Sequence, residues 1–317
     1  MTRTLNLTVL VVLHAAALAG CADSLDARYA PSEVIFPAGP VVVPMPDVRG
    51  LPSVDVSING RGPFRLIIDT GADSVFLTQQ AAREADLHLI DGVAPFHAVD
   101  GTNEGTHAVA LGHIDSLQIG TPGASFQGFE AIVRDIPNLS EFAQRRIDGL
   151  LGTCVLRSGV WTLERDPGRL TIARSMDAPL DRSLVVPLTP IAPRDTAFSL
   201  RASIGGQRID LLLDTGSVDP VTLSKADIAR LLDAPASPLL RPSGASERAT
   251  FFGTTAHATY QLLAPMRFGR VEWGGSTVIE SRLISSIGAG ALPNFALDLT
   301  HNRMILGPFA CMPLPTP

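Results

Sequence analysis

FRLIIDTGA at residues 64–72 and IDLLLDTGS at residues 209–217 are two copies of one pattern. In each copy three apolar residues lead directly into Asp-Thr-Gly, which begins at Asp69 in the first and at Asp214 in the second. Such a run predicts a buried strand that delivers a carboxylate to a tight turn, which glycine permits. A single Asp-Thr-Gly is weak evidence because three residues recur by chance, so the repetition carries the argument.

The repeat extends well beyond these two stretches, in the same order in both halves of the chain. The further matching segments are 42–44 with 185–187, 56–60 with 202–206, 75–78 with 221–224, 79–87 with 225–232, and 162–172 with 296–306. The simplest explanation is one fold that was duplicated and fused. We therefore predict an N-terminal lobe over residues 41–173, a linker over 174–183 and a C-terminal lobe over 184–309.

Most of these segments have the pattern of strands, since they are short, rich in Val, Ile, Leu and Thr, and bounded by turn residues. Asn59-Gly60 and Gly205-Gly206 predict tight hairpin turns just before each Asp-Thr-Gly strand. Residues 79–87 and 225–232 predict one short helix in each half. The expected fold class is mainly β, with two similar closed, barrel-like lobes, a few short helices and a cleft between the lobes.

Composition excludes several function classes. The chain of 317 residues carries a net charge of −6 and has no basic patch to neutralise phosphates, so nucleic acid is not an expected partner. Its seven histidines show no His-Glu-x-x-His pattern or other metal-ligand spacing, so no metal and no cofactor are predicted.

Two facing Asp-Thr-Gly turns have a specific chemistry. Like charges in hydrogen-bond range cannot both ionise, so Asp69 and Asp214 would share one proton. The ionised carboxylate would act as general base on a water molecule, and the protonated one would polarise a peptide carbonyl. The predicted catalytic residues are Asp69 and Asp214.

With these residues the chain resembles the aspartic peptidase superfamily of pepsins and retropepsins, and most closely the bacterial periplasmic retropepsin-like proteins. The resemblance implies an acid protease fold and an active-site turn in each lobe, made of Thr70, Gly71 and Ala72 and of Thr215, Gly216 and Ser217. It implies that the two threonine hydroxyls lock the turns together. IDGLLG at 147–152 matches the family's second signature, whose second copy is either Ser286-Ile287-Gly288 or Gly290-Ala291-Leu292.

The resemblance also suggests a flap that covers the cleft. The candidate is the hairpin around Val99, Asp100, Gly101 and Thr102, which lacks the tyrosine of pepsin flaps. The two turns differ at their fourth residue, where only Ser217 has a hydroxyl to stabilise a neighbouring carboxylate. This predicts that Asp214 ionises first, that Asp69 holds the proton, and that the pH optimum is less acidic than that of a gastric enzyme.

Residues 1–20 have the features of a secretory signal peptide, with Arg3 ahead of an apolar stretch. Leu18-Ala19-Gly20-Cys21 resembles the bacterial lipobox, which implies cleavage before Cys21 and lipid attachment to its sulfur. The alternative is an ordinary secretory signal with an incidental cysteine. Residues 21–40 then form a tether, and Ala22 implies sorting to the outer membrane of a Gram-negative bacterium, on the periplasmic side.

Cys154 and Cys311 are the two remaining cysteines. In an oxidising compartment they are a possible disulfide between the halves, and two separate buried thiols are the alternative.

The expected function is an aspartic endopeptidase that cleaves envelope or periplasmic proteins as a monomer anchored to the membrane through Cys21. Its partners are peptide or protein substrates. The alternative is a catalytically inactive, peptide-binding envelope lipoprotein of the same fold.

Overall fold

The computed structural model describes residues 6–7, 12–14, 27–90, 97–99, 110–135, 140, 143–176, 184–191, 196–234, 238–250, 253–275, 277–281, 284–292 and 294–307. Within these ranges the chain is mainly β, as the sequence predicts. None of the helices described there has the length and hydrophobicity that a membrane span requires.

The strands in chain order are β1 Asn6–Leu7, β2 Val12–His14, β3 Glu33–Ile35, β4 Val41–Pro44, β5 Asp47–Val48, β6 Leu51–Ile58, β7 Arg61–Ile68, β8 Phe76–Leu77, β9 His88–Ile90, β10 His97–Val99, β11 Ala110–Gly120, β12 Gly123–Val133, β13 Gly149–Leu151, β14 Val160–Glu164, β15 Arg169–Ala173, β16 Val185–Ile191, β17 Ala197–Ile204, β18 Gln207–Asp214, β19 Val221–Ser224, β20 Leu240–Thr250, β21 Gly253–Leu262, β22 Met266–Phe268, β23 Val271–Trp273, β24 Thr277–Ser281, β25 Ser286–Gly288, β26 Asn294–Asp298 and β27 Arg303–Leu306. The α-helices are α1 Gln79–Glu84, α2 Thr153–Leu156 and α3 Lys225–Leu232, and short 3-10 helices span Ala289–Ala291 and Leu299–His301.

The first half forms a closed barrel of six strands in the order β12-β8-β13-β7-β6-β11, with β11 pairing back onto β12. The β6–β7 hairpin turns at Asn59 and Gly60, whose φ values of 51° and 73° are the left-handed pair that a tight hairpin needs. Strand β7 lies between β6 and β13 in the barrel wall and ends at Ile68, which places the first Asp-Thr-Gly beside the end of β13.

The second half repeats this arrangement. Strands β24, β19, β25, β18 and β17 follow in the same order as β12, β8, β13, β7 and β6, and β22 pairs with β17 where β11 pairs with β6. The preceding turn again has two left-handed residues, Gly205 at 54° and Gly206 at 86°. Strand β18 therefore carries Asp214 as β7 carries Asp69.

A central antiparallel sheet joins the two halves, with strand order β16-β27-β26-β14-β15-β4. Its two middle strands pair so that Thr162 lies opposite Ala296. These two positions are also equivalent in the sequence repeat, so a pseudo-two-fold axis passes between them. One continuous cluster of buried apolar residues spans both halves, and its largest fully buried side chain is Trp161.

Each half has its helix directly after the Asp-Thr-Gly turn and the short strand that follows it. Thr78 caps α1 by accepting a hydrogen bond from the Ala81 N–H, and Ser224 caps α3 through the Asp227 N–H. Helix α3 has the predicted bounds. Helix α1 ends at Glu84 instead of residue 87, because Asp86 has a left-handed φ of 57° that a helix cannot contain.

The prediction of a free tether over residues 21–40 is wrong from residue 27 onward. Strand β3 pairs with β12, and the Ser32 N–H donates to the Gln127 carbonyl at 2.8 Å. Phe36 packs edge-on against Phe126 with ring centroids 6.2 Å apart, and Tyr29 is buried. These contacts make the segment part of the N-terminal lobe, because its aromatic residues cover apolar surface.

Candidate active site

Both Asp-Thr-Gly turns rest on a strand that runs parallel to the one that delivers them. Strand β13 lies beside β7, and the Asp69 N–H donates to the Leu151 carbonyl at 3.0 Å. Strand β25 lies beside β18 in the same sense, with Gly288 opposite Asp214. Main-chain pairing with the neighbouring strand thus fixes the backbone position of each aspartate.

The two turns are joined by a reciprocal exchange of four hydrogen bonds. The Thr70 hydroxyl donates to the Leu213 carbonyl at 2.8 Å, and the Thr215 hydroxyl donates to the Ile68 carbonyl at 2.8 Å. Each hydroxyl also accepts the main-chain N–H of the other threonine at 3.0 Å. All of these groups are buried, so the exchange holds the two halves together at the point where the carboxylates meet, as the resemblance implies.

Each turn glycine lies against the carboxyl group of the opposite half. A Cβ at Gly216 would lie 2.5 Å from Asp69 Oδ2, and a Cβ at Gly71 would lie 2.8 Å from Asp214 Oδ1. Real Cβ atoms do not approach so closely, so only glycine allows the turns to face each other at this spacing. The structure therefore brings together Asp69, Asp214 and the predicted turn residues in one buried site.

Burial raises the pKa of both carboxyl groups, whose residues are fully inaccessible to solvent. The pKa of Asp69 rises to about 7, chiefly through burial and against the opposing effect of hydrogen bonds from the Gly71 and Ala72 N–H groups. The pKa of Asp214 rises well above its usual value through burial, through the charge of Asp69 and through that of Asp219. The pair therefore retains a proton at neutral pH.

The hydrogen bond on which the predicted distribution of that proton rests is not formed between these described residues. No hydrogen bond from the Ser217 hydroxyl reaches the Asp214 carboxylate; instead Ser217 Oγ accepts the Asp219 N–H at 3.3 Å. Asp69 accepts the Gly71 N–H at 2.8 Å, which stabilises its ionised form. These contacts favour the reverse assignment, with Asp69 as the anion and Asp214 as the protonated acid.

Asp219 makes the surroundings of the two carboxyl groups different. It is buried, and its charge contributes to the raised pKa of Asp214. The equivalent position in the first half is Ser74, so this carboxylate is present on one side only. The difference is visible in the sequence, because the fifth residue after Asp69 is Ser74 and the fifth residue after Asp214 is Asp219.

The loops under the turns settle which segment is the second copy of the family's second signature. Gly152 packs so tightly that a Cβ would lie 2.2 Å from the Ser74 carbonyl oxygen, and a Cβ at Gly288 would lie 2.2 Å from that of Asp219. The Gly288 N–H donates to the Pro220 carbonyl at 3.0 Å. Ser286-Ile287-Gly288 is therefore the equivalent of Leu150-Leu151-Gly152, and the alternative at residues 290–292 is wrong.

Of the predicted flap residues, the structure describes only Val99, at the end of β10. Asp100, Gly101 and Thr102 lie outside the described residues. The second half has a corresponding hairpin, formed by β20 and β21, which was not predicted from the sequence. The two hairpins have nearly the same length. Twenty residues lie between Ile90 and its partner Leu111 in the first half, and twenty-one lie between Leu240 and its partner Leu262 in the second.

Cys154 lies in α2, beneath the first turn, where its N–H donates to the Asp73 carbonyl at 3.1 Å. Burial, and after it the charge of Asp73, raises the pKa of the thiol to about 12. Cys21 and Cys311 lie outside the described residues, so lipid attachment and the Cys154–Cys311 disulfide stay predictions. Where side chains are described, no three of His, Cys, Asp or Glu are grouped as a metal would need.

Residues 54–155, which include the first Asp-Thr-Gly, match the family described as aspartyl protease. The chain is also similar to two solved structures. One is a retropepsin-like aspartic protease from Rickettsia conorii, with 18% identity, 44% of this chain and 90% of that chain covered, and a TM-score of 0.28. The other is Basic 7S globulin from soybean, with 14% identity, 84% and 96% coverage, and a TM-score of 0.47. No curated protein matches. The similarity to the aspartyl protease family thus lies in residues 54–155 of the chain.

Proposed function

We propose that this protein is an aspartic endopeptidase in which one chain supplies both catalytic carboxylates. The observation that carries the proposal is the buried pair of Asp69 and Asp214, held together by the reciprocal threonine hydrogen bonds and sharing a proton at neutral pH. A buried pair of acids costs free energy of folding, and a structural role does not require it.

In this mechanism the ionised Asp69 accepts a proton from a water molecule, and the resulting hydroxide attacks the scissile carbonyl carbon. Asp214 donates its proton to the carbonyl oxygen, which gives a neutral tetrahedral intermediate. The proton that Asp69 took from water then passes to the leaving amine as the C–N bond breaks. The carboxyl product returns its hydroxyl proton to Asp214, so the pair is restored without any metal or cofactor.

The proposed substrates are peptide bonds of envelope or periplasmic proteins. The support is the lipobox-like Leu18-Ala19-Gly20-Cys21, which would anchor the chain through Cys21 on the periplasmic side, at the outer membrane. Expression of the wild type and of Cys21→Ser tests this proposal. The wild type should fractionate with outer membranes and incorporate labelled fatty acid, and the variant should do neither; fatty-acid incorporation by the variant would contradict it.

The central experiment measures cleavage of a peptide library by the form that begins at Ala22, with and without a statine-type inhibitor. Asp69→Asn and Asp214→Asn should each lower kcat by at least about 10³-fold, because each removes one half of the acid–base pair. Asp115→Asn, at an exposed carboxyl, is the matched control and should keep full activity. Near-full activity in either dyad variant would contradict the mechanism. Peptide binding without cleavage by the wild type would favour the inactive peptide-binding alternative.

A further inference from the structure

The outer surface of the second half has a depression of about 360 Å³ that lies apart from the Asp-Thr-Gly turns. Five charged side chains line it: Arg201, Arg208, Asp210, Asp227 and Arg230. The first three stand on the exposed face of the β17–β18 hairpin, and the last two belong to helix α3. Because they come from two strands and a helix, no run of basic residues marks the three arginines in the sequence.

Both acids of the depression already have partners. Asp227 accepts hydrogen bonds from Arg230 Nη2 at 2.5 Å and from the Ser285 hydroxyl at 2.5 Å. Asp210 accepts one from Arg201 Nε at 3.2 Å. A guanidinium has five N–H donors on three nitrogens, and each of these two arginines uses one nitrogen in its pair. The other nitrogens of Arg201 and Arg230 are therefore available to a ligand.

Arg208 is the third cation of the depression, and it is exposed. It lies opposite Ser203 in the hairpin, whereas Arg201 lies opposite Asp210. Among the residues that the structure describes, Arg208 forms no ion pair and no side-chain hydrogen bond. The depression thus has one more arginine than it has acids, and an excess positive charge in a concave surface attracts anions.

The first half lacks this excess at the equivalent positions, which are Asp55, Pro63, Arg65, Ala81 and Glu84. Two acids and one arginine there correspond to three arginines and two acids in the second half. Arg65 donates to Asp55 through both Nε and Nη2, and Glu84 is paired with Arg146, so these charges satisfy one another. The basic depression is therefore a feature of the second half and not a requirement of the duplicated fold.

We propose that this depression is a binding site for a phosphate group, with Arg208 as its principal contact and Arg201 and Arg230 as additional donors. Guanidinium groups from three directions can surround a tetrahedral anion, whereas a carboxylate presents two oxygens in one plane. The phosphate belongs either to a lipid headgroup or to a soluble phosphate ester, and the contacts are the same in both cases. The site does not depend on the proposed function, because none of its residues takes part in the catalytic pair.

Titration calorimetry of the full-length chain in a neutral detergent, with inorganic phosphate as the probe, tests the site. The wild type should bind phosphate with a Kd on the order of 1 mM. Arg208→Gln should weaken binding at least about tenfold, because it removes charge-assisted hydrogen bonds. Arg61→Gln, an exposed arginine in the β6–β7 hairpin of the first half, is the matched control and should bind as the wild type does. Equal binding by Arg208→Gln and the wild type, or no binding by the wild type, would overturn the proposal.

Competition and lipid binding test the chemistry and the source of the phosphate. Sulfate should displace phosphate and acetate should not; equal displacement by both would overturn the preference for a tetrahedral anion. Micelles that contain phosphatidic acid should bind the wild type, and micelles with diacylglycerol in its place should not. Tighter binding of phosphatidic acid than of inorganic phosphate would support a lipid headgroup, and equal binding would support a soluble ester. Both results require the loss in Arg208→Gln, whose thermal unfolding temperature should match that of the wild type.

Discussion

At the scale of single residues, the two catalytic candidates have the same motif but different surroundings. Asp69 accepts a hydrogen bond from the Gly71 N–H, whereas Asp214 is close to the buried Asp219. A hydrogen bond donated to a carboxylate favours its charge, and a second negative charge opposes it. This asymmetry favours Asp69 as the general base and Asp214 as the general acid.

The pH dependence of cleavage follows from this assignment. Asp69 must be ionised, and its pKa is about 7, so kcat/KM should rise by up to about tenfold per pH unit as the pH approaches 7 from below. The rate should fall at higher pH when Asp214 loses its proton. Steady-state kinetics between pH 3 and 10 checks this. A maximum below about pH 3 would mean a pair of low pKa and would contradict the assignment.

The same buried pair should make stability depend on pH. The folded-state pKa of Asp214 lies above its unfolded value, so its contribution is fully present below about pH 4 and is lost as the pH rises. Asn cannot ionise in either state and escapes this loss. The unfolding free energy of Asp214→Asn should therefore rise relative to that of the wild type when the pH is raised from 4.5 to 8.

Urea denaturation at the two pH values measures that gain. Asp115→Asn, at an exposed carboxyl, serves as the control and should follow the wild type. If the unfolding free energies of Asp214→Asn and the wild type changed equally with pH, the pKa of Asp214 would not be raised in the folded state. The variant should lose cleavage while it gains stability, which separates a catalytic effect from unfolding.

Much of the site at this scale was predictable from sequence. The repeated Asp-Thr-Gly identified both carboxylates and their turns, because glycine and the preceding apolar run are local signals. The location of the proton was not predictable, since it depends on whether Ser217 Oγ points to Asp214 or to the Asp219 N–H. That choice is made by packing between segments far apart in the chain.

At the scale of elements, the threonine exchange is the joint between the two turns. Thr215→Val removes the hydroxyl that donates to the Ile68 carbonyl and accepts the Thr70 N–H, and it leaves both groups buried without a partner. Each unsatisfied buried group costs about 1–3 kcal/mol, so the variant should lose roughly 2–5 kcal/mol of unfolding free energy. Thr215→Ser keeps the hydroxyl and should lose less than about half as much. Chemical denaturation of both variants checks this, and equal losses would contradict a hydrogen-bond origin.

The elements themselves show where sequence patterns succeed. The prediction of a helix over residues 225–232 matches the bounds of α3, whose first turn is capped by Ser224. Some strands begin earlier than their apolar residues suggest. Strand β7, for example, includes Arg61 and Gly62, although both residues are exposed. The segment 27–40 has no periodic pattern, and its place in the N-terminal lobe depends on the burial of Phe36 and Tyr29 against apolar surface from other parts of the chain.

At the scale of the whole molecule, the central sheet makes the two halves one unit. Glu164 and Asp298 are equivalent in the repeat, and each accepts a hydrogen bond from an equivalent arginine: Arg169 Nε at 2.6 Å and Arg303 Nε at 2.8 Å. Both acids are almost fully buried, so each arginine offsets the cost of a buried charge. The duplicated ion pairs lie on the strands that flank the pseudo-two-fold axis.

This arrangement predicts matched effects of two distant substitutions. Arg169→Met and Arg303→Met each leave a buried carboxylate without its arginine, so each should lower the unfolding free energy by about 3–5 kcal/mol. Arg303→Met should cost somewhat less, because His301 Nδ1 also lies 2.8 Å from the Asp298 carboxylate. Because the sheet and the apolar core are continuous across the halves, each variant should still unfold in a single transition at a lower temperature. Calorimetry distinguishes the outcomes: two separated transitions in either variant would show that the lobes unfold independently and that the central sheet does not couple them.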